Sequence, residues 1–131
     1  MCIFCEIIKG NIPSKKVYEN DKVLAILDIS QITKGHTLVL PKKHYDNLLE
    51  IADEDYKEVM LAAKKIAKNI NDVYKPEGLN IINNCGETAG QSVMHFHVHI
   101  VPRYNKEDLI MTHADNSGKF DLDAIANDIK L

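Results

Sequence analysis

Three histidines alternate with apolar residues in the segment His95-Phe96-His97-Val98-His99. Side chains alternate between the two faces of a β-strand, so the three imidazoles share one face while Phe96 and Val98 point into a core. Successive imidazoles then stand about 7 Å apart along the backbone. Such a row permits nucleophilic catalysis by an imidazole that its neighbours assist. It also permits coordination of a metal ion by several histidines.

The segment before the histidines, residues 83–92, is a polar loop that contains several small residues. Gly86 and Gly90 let the backbone approach a ligand closely, and backbone N–H groups in such a loop can surround an anion. Side-chain hydrogen-bond donors are present at Asn84, Gln91 and Ser92. Donors beside a nucleophile suit a phosphate group that gains negative charge in the transition state. The loop therefore favours nucleophilic catalysis over a metal site formed by all three histidines.

The segments around these motifs predict an α+β domain with an antiparallel sheet, one long helix and a short C-terminal helix. The long helix has Asp53 as its predicted N-cap, and Pro76 and Gly78 close it. Its apolar face is formed by Val59, Ala63, Ile66, Ala67, Ile70, Val73 and Tyr74. The predicted strands are Val17 to Glu19, Val23 to Leu27, Thr37 to Leu40, Leu79 to Ile82 and Met94 to Val101. The terminal helix is predicted from apolar residues at helical spacing, which are Leu122, Ile125, Ala126 and Ile129.

Length and composition limit the class of protein. A chain of 131 residues, 45% of them hydrophobic, predicts a single domain with one core. The net charge is −3 and the lysines are scattered, so we expect no nucleic-acid surface. No segment has the length and apolarity of a membrane span, and the N-terminus lacks the pattern of a signal peptide. We expect a cytoplasmic protein with no membrane partner, in which the three cysteines stay reduced.

Together these motifs resemble the histidine triad (HIT) family of nucleotide hydrolases and transferases, and within it the Hint-like branch that includes the bacterial Hit proteins. The resemblance runs from about Cys2 to Arg103 and leaves Tyr104 to Leu131 as a C-terminal tail of the same domain. The uridylyltransferase branch fits less well, because Gln replaces the third histidine there. The motifs that carry the resemblance are Leu27-Asp28-Ile29-Ser30, Gly35-His36-Thr37-Leu38-Val39-Leu40-Pro41-Lys42, Gly90-Gln91-Ser92 and the histidine alternation.

The resemblance implies a symmetric homodimer that cleaves a purine nucleotide conjugate, either an AMP-amine phosphoramidate or a dinucleoside polyphosphate. His97 attacks the α-phosphorus, and water then hydrolyses the nucleotidyl-histidine. His99 and His36 line the phosphate site, and one of them donates a proton to the leaving group. Asp28 accepts hydrogen bonds from the ribose hydroxyls. The residues that flank the base are Ile26, Leu27 and Ile29, and those that bind the phosphate are Asn84, Gly90, Gln91 and Ser92 with His99.

A second group of residues has the composition of a metal site. Cys2-Ile3-Phe4-Cys5 has ligand spacing, although the pattern alone also fits a redox pair or two incidental thiols. No βαβ pattern follows it, which argues against the redox interpretation. A closed structural zinc site needs four ligands, and the resemblance implies the set Cys2, Cys5, His44 and His95. His95 then holds the strand that carries His97 and does not itself react.

Two other classes of function remain open at this point. One is a nucleotide-binding sensor or partner-binding dimer with little catalysis. The other is a zinc hydrolase in which His95, His97 and His99 share one catalytic metal.

Overall fold

Five strands form one antiparallel sheet in the order β1-β2-β3-β5-β4. The computed structural model of the chain describes residues 1–131. The strands are β1 (Lys16–Glu19), β2 (Val23–Leu27), β3 (Thr37–Pro41), β4 (Gly78–Ile82) and β5 (Val98–Arg103). The α-helices are α1 (Ile3–Ile8), α2 (Asp53–Tyr74) and α3 (Leu122–Ile129), and a 3₁₀ turn spans Glu87–Ala89. The α+β class and the antiparallel sheet predicted from the sequence are confirmed.

The first hairpin forms where the sequence predicts a turn. The side-chain Oδ1 of Asn20 accepts hydrogen bonds from the backbone N–H groups of Lys22 (2.9 Å) and Val23 (2.8 Å), as asparagine commonly does in turns. β2 then pairs with β3 along its whole length. Both faces of β2 are buried, so its residues are almost all apolar instead of alternating with polar ones.

Helix α2 covers one face of the sheet. It begins at Asp53, with Ala52 in the N-cap position and no side-chain cap, so the predicted N-cap at Asp53 is wrong by one residue. The acidic residues Asp53, Glu54 and Asp55 lie in the first turn, where the helix dipole favours negative charge. The core on this side consists of Val23, Ala25, Val39, Ile51, Val59, Ala62, Ala63, Ile66, Ala67, Ile70, Phe96, Val98 and Ile100.

Helix α1 covers the opposite face and was not predicted. Six residues are too few for a clear periodic pattern, and the helix is stabilised by packing and by a cap. The Sγ atom of Cys2 accepts a hydrogen bond from the N–H of Cys5 at 3.3 Å. This second core consists of Phe4, Ile7, Leu24, Ile26, Leu38 and Leu40.

The strand that carries the histidines is shorter at its start and longer at its end than predicted. β5 begins at Val98, not at Met94, because the two preceding residues bond to loops instead of to a neighbouring strand. The N–H of Phe96 donates to the carbonyl of Tyr45 at 2.7 Å, and the carbonyl of His97 accepts from the Asn83 amide at 2.9 Å. The alternation of faces is nevertheless kept, because Phe96 joins Val98 in the core under α2.

The C-terminal tail contains the predicted helix α3. Asp121 caps it by accepting hydrogen bonds from the N–H groups of Asp123 (3.1 Å) and Ala124 (3.2 Å). All residues of α3 are exposed. None of the helices is both long and apolar enough to span a bilayer.

Candidate active site and metal site

The ring of His97 has a defined tautomer. Its Nδ1 lies 2.7 Å from the carbonyl oxygen of His95. A carbonyl can only accept a hydrogen bond, so Nδ1 carries the ring proton and Nε2 keeps an unshared electron pair. His97 is 6% exposed, and its ring packs edge-on against Phe4, with centroids 5.1 Å apart. A buried imidazole held in this way has a fixed orientation and an Nε2 electron pair that can serve in nucleophilic attack.

His36 and His99 are linked in a second ordered pair. Nδ1 of His36 accepts the backbone N–H of Ile32 at 3.2 Å, so the proton of His36 is on Nε2. That Nε2–H donates to Nδ1 of His99 at 2.9 Å. The proton of His99 is therefore on its own Nε2. Both ring nitrogens of His36 are engaged, so His36 can act on a ligand only through His99.

Burial keeps these three imidazoles neutral. Desolvation lowers the pKa of His97 and of His36 below the ordinary value, although the carboxylate of Asp28 partly opposes the shift in both. Burial, with the neighbouring His97 and His36, lowers the pKa of His99 to about 4. A neutral His97 retains the electron pair that nucleophilic attack requires.

A cavity of about 260 Å³ lies in front of His97 and His99. One side is formed by the end of β2 and the residues after it, where Asp28 has a partly exposed carboxylate and Ile29 is 99% exposed. The structure thus brings most of the predicted nucleotide residues around one cavity. Those in its wall are Ile26, Leu27, Asp28, Ile29, Ser92, His97 and His99.

Other wall residues were not predicted. Phe4 and Ile7 belong to α1, and Ile12 and Pro13 to the segment after it. Val93 lies in the loop before the histidines. Ile3 also lies in the cavity wall. Ile3, Phe4 and Ile7 have the spacing of one helix face, and this spacing is the sequence signal that could have predicted a short helix beside the cavity.

Three predicted phosphate ligands are not in the cavity wall. The amide of Asn84 donates to the carbonyl of Gly90 at 3.4 Å. The Gln91 side chain is 98% buried by the loop: its oxygen accepts from the Gly86 N–H at 2.8 Å, and its nitrogen donates to the carbonyls of Asp46 (2.6 Å) and Val93 (3.0 Å). The side chains of Gln91 and Asn84 thus shape the loop.

Four potential metal ligands lie together at the start of α1. The ligand atoms of Cys2, Cys5, His44 and His95 are all within 4.8 Å of one another. His95 Nδ1 is 3.4 Å from Cys2 Sγ and 3.1 Å from His44 Nδ1, and Cys5 Sγ is 3.3 Å from His44 Nδ1. Ligands around a tetrahedral zinc ion lie roughly 3.3–3.8 Å apart, given the usual Zn–N and Zn–S lengths. The donor set therefore fits zinc.

The hydrogen bonds of the two histidines support a cation at this position. His95 Nε2 donates to the carbonyl of Pro41 and His44 Nε2 to the carboxylate of Asp46, each at 2.8 Å. In their neutral forms both rings then direct an unprotonated Nδ1 at the other, and two such electron pairs repel each other. A metal ion between them would bind both electron pairs. Oxygen acceptors of this kind commonly orient histidine ligands.

The histidines of the alternating segment do not share one metal. Nδ1 of His95 faces the cysteines, whereas Nδ1 of His97 faces a backbone carbonyl and Nδ1 of His99 faces His36. Asp28, His36 and His99 also lie close enough for a metal. Ile32 occupies Nδ1 of His36, however, so Nε2 carries a proton and is not a ligand. The geometry therefore argues against a zinc hydrolase centred on these histidines.

Comparison with known proteins agrees with this architecture. The HIT domain family matches residues 9–106. A crystal structure of a HIT-family member from Bacillus subtilis is 51% identical, covers 96% of this chain and 90% of its own, and superposes with a TM-score of 0.89. The adenosine 5′-monophosphoramidase hnt1 of Schizosaccharomyces pombe is 43% identical over 81% of this chain and 77% of its own. A zinc-bound histidine triad protein from Mycobacterium smegmatis is 35% identical over 90% of this chain and 86% of its own, with a TM-score of 0.79.

The fold and the histidine site therefore define a histidine triad protein. The chain belongs to the HIT family.

The low pKa of His99 predicts how stability depends on pH. The unfolded chain has the ordinary histidine pKa of about 6.5, so it binds this proton before the folded protein does as the pH falls. We expect the free energy of unfolding to decrease between about pH 6.5 and about pH 4. In His99→Gln the decrease should be less steep, as measured by urea unfolding across this range.

The matched control is His113→Gln, which removes an exposed histidine from the tail and should keep the wild-type dependence. An equally steep decrease in wild type and His99→Gln would show that His99 does not have the low pKa.

Proposed function

We propose that this protein hydrolyses nucleotide conjugates at the α-phosphate through a covalent intermediate on His97. The observation that carries the proposal is the 2.7 Å hydrogen bond from His97 Nδ1 to the His95 carbonyl, which leaves Nε2 as a free nucleophile at the cavity. The similarity to an adenosine 5′-monophosphoramidase supports the same reaction class. AMP-amine phosphoramidates and dinucleoside polyphosphates are the substrates we propose.

The reaction has two displacement steps. Nε2 of His97 attacks the α-phosphorus, and the bond to the leaving group breaks with its electron pair staying on the leaving atom, which takes up a proton from solvent. A water oxygen next attacks the same phosphorus, the P–Nε2 bond breaks, and the pair returns to His97. The nucleoside monophosphate and one proton are released.

The surrounding residues have distinct proposed roles. His99 directs its Nε2–H toward the phosphate, and we therefore favour His99 over His36 as the group that contacts the substrate. Asp28 binds the ribose hydroxyls. The base is flanked by Ile26, Leu27 and Ile29, and we propose a purine. The phosphate is bound by Ser92 and by the loop that contains Asn84, Gly90 and Gln91. The free state of all three cysteines fits a reducing compartment, and we propose the cytoplasm.

Replacing His97 by Ala tests the nucleophile. We expect wild-type protein to release AMP from an AMP-lysine phosphoramidate or from diadenosine polyphosphate, and the variant to be slower by at least about 10³-fold, as for other catalytic nucleophiles. Rapid quenching and intact-protein mass measurement should detect a nucleotidyl adduct in wild type only.

His113→Ala is the control, because this histidine is exposed in the tail, and it should keep full activity. If wild type and His97→Ala bind AMP equally but neither produces AMP from the two substrates, the protein is a nucleotide-binding module and the catalytic proposal is wrong.

We further propose that Cys2, Cys5, His44 and His95 hold a structural zinc ion that joins the N-terminus to the sheet. The distances between the four donors support this, as does the zinc-bound relative. The ion would supply no step of the reaction, because none of its four ligands lies in the wall of the cavity in front of His97.

Metal analysis of the purified protein should give about one zinc per chain, as expected of a closed four-ligand site. Cys5→Ser should lose the zinc and unfold at a lower temperature. Cys85→Ser replaces the third free cysteine, outside the cluster, and should keep both zinc and stability. Protein that is fully folded and contains no metal would contradict the proposal.

We propose a homodimer formed through the β4 edge of the sheet. A groove of about 390 Å³ between α2 and β4 is lined by Met60, Ala63, Ala67, Leu79 and Ile81 together with polar residues. β4 has a partner on one side only, and exposed strand edges are normally covered. A second copy related by a two-fold axis would continue the sheet and cover the groove.

Ile81→Glu places a charge in this groove and should give a monomer by sedimentation at micromolar concentration. Val73→Glu introduces the same charge at an exposed position outside that groove on α2 and should leave the dimer intact. A monomeric wild-type protein, or a dimeric Ile81→Glu, would overturn this assembly.

A further inference from the structure

The loop between β2 and β3 contains both Asp28 and His36, and one glutamine binds its two ends together. The amide nitrogen of Gln31 donates to the carbonyls of Asp28 (2.6 Å) and His36 (2.7 Å). The amide oxygen accepts from the N–H groups of Gly35 (2.9 Å) and His36 (3.1 Å). All four hydrogen-bonding positions of the side-chain amide are therefore used.

This pattern is unusual for an exposed side chain. Gln31 lies at the surface, where a glutamine normally remains mobile in water because ordering it costs rotamer entropy. Here each partner is a backbone group of the same loop. These four contacts add to two backbone hydrogen bonds of the loop, from the Asp28 N–H to the His36 carbonyl and from the His36 N–H to the Thr33 carbonyl, each at 3.1 Å.

The geometry of the loop determines the tautomer of His36. Ile32 directly follows Gln31, and its N–H must point at Nδ1 of His36 to hold the proton on Nε2. That proton is the one donated to His99. A displacement of the loop would release Nδ1, allow His36 to take its other tautomer and leave His99 without a defined one.

We propose that Gln31 is a positioning residue that fixes the tautomers of His36 and, through it, of His99. The proposal rests on the proposed hydrolase function for its effect on rate, whereas its effect on the histidine rings does not depend on any substrate. All four hydrogen bonds of the Gln31 side chain go to the backbone of its own loop, and none goes to His97, the proposed nucleophile.

Thr33 provides a matched control in the same loop. Its hydroxyl donates to the carbonyl of Pro102 at 2.6 Å, and both groups are buried. Thr33→Val keeps the shape of the side chain and removes this anchor. It therefore weakens the attachment of the loop without removing the hydrogen bonds of Gln31.

The experiment compares wild type, Gln31→Leu, Gln31→Glu and Thr33→Val by two measurements. Nitrogen chemical shifts of the histidine rings, recorded by NMR without substrate, report the tautomer of His36. Steady-state kinetics with an AMP-lysine phosphoramidate report kcat and KM. Gln31→Glu is included because it keeps the acceptor for the Gly35 N–H and loses both donors, and so tests the contacts even if Gln31→Leu folds poorly.

We expect a single Nε2–H tautomer of His36 in wild type and in Thr33→Val, and a mixture in both Gln31 variants. With the orientation of His99 lost, kcat should fall about tenfold, while KM changes by less than about twofold. Thr33→Val should unfold at a lower temperature and keep its kcat.

Unchanged His36 shifts in both Gln31 variants would overturn the proposal, as would an equal loss of kcat in Thr33→Val, since loop anchoring alone would then explain the effect. If wild type releases no AMP, the proposed hydrolase function fails, and the ring measurement still decides the role of Gln31.

Discussion

The chemistry proposed for this protein depends on one hydrogen bond, from Nδ1 of His97 to the carbonyl oxygen of His95. The two residues are separated by Phe96, whose side chain is in the core under α2. The side chain of His95 is held in turn by the Pro41 carbonyl and lies among the two cysteines and His44. The proposed nucleophile thus receives its orientation from a residue whose own ring belongs to the candidate metal site.

The second constraint is neutrality. Three imidazoles lie within a small volume, and burial lowers the pKa of each. Two adjacent charged rings would repel each other, whereas neutral rings can each have one donor and one acceptor. The hydrogen bonds then determine which nitrogen carries the proton, beginning from the Ile32 N–H and ending at His99. The positions of the ring protons thus define the order of the site, while the carboxylate of Asp28 opposes the lowering of all three pKa values.

The parts of the site that depend on local periodicity were predictable from the sequence. The alternation of His95, His97 and His99 placed them on one face even though β5 begins only at Val98. What the sequence could not indicate depends on distant contacts. The short helix α1, with Phe4 against His97, exists because it packs on the sheet. Gln91 looks like a phosphate donor in the sequence, and its amide is instead used by three backbone groups of the fold.

The position of Gln91 has a consequence for motion. Its side chain joins the Gly86 N–H, in the loop before the histidines, to the Asp46 carbonyl, two residues from His44. Neither loop can move away from the other without breaking a hydrogen bond of this side chain, which is itself almost completely buried. The two loops therefore open as one cooperative unit. Exchange of the Gly86 amide hydrogen with solvent then also records the opening of the segment around His44.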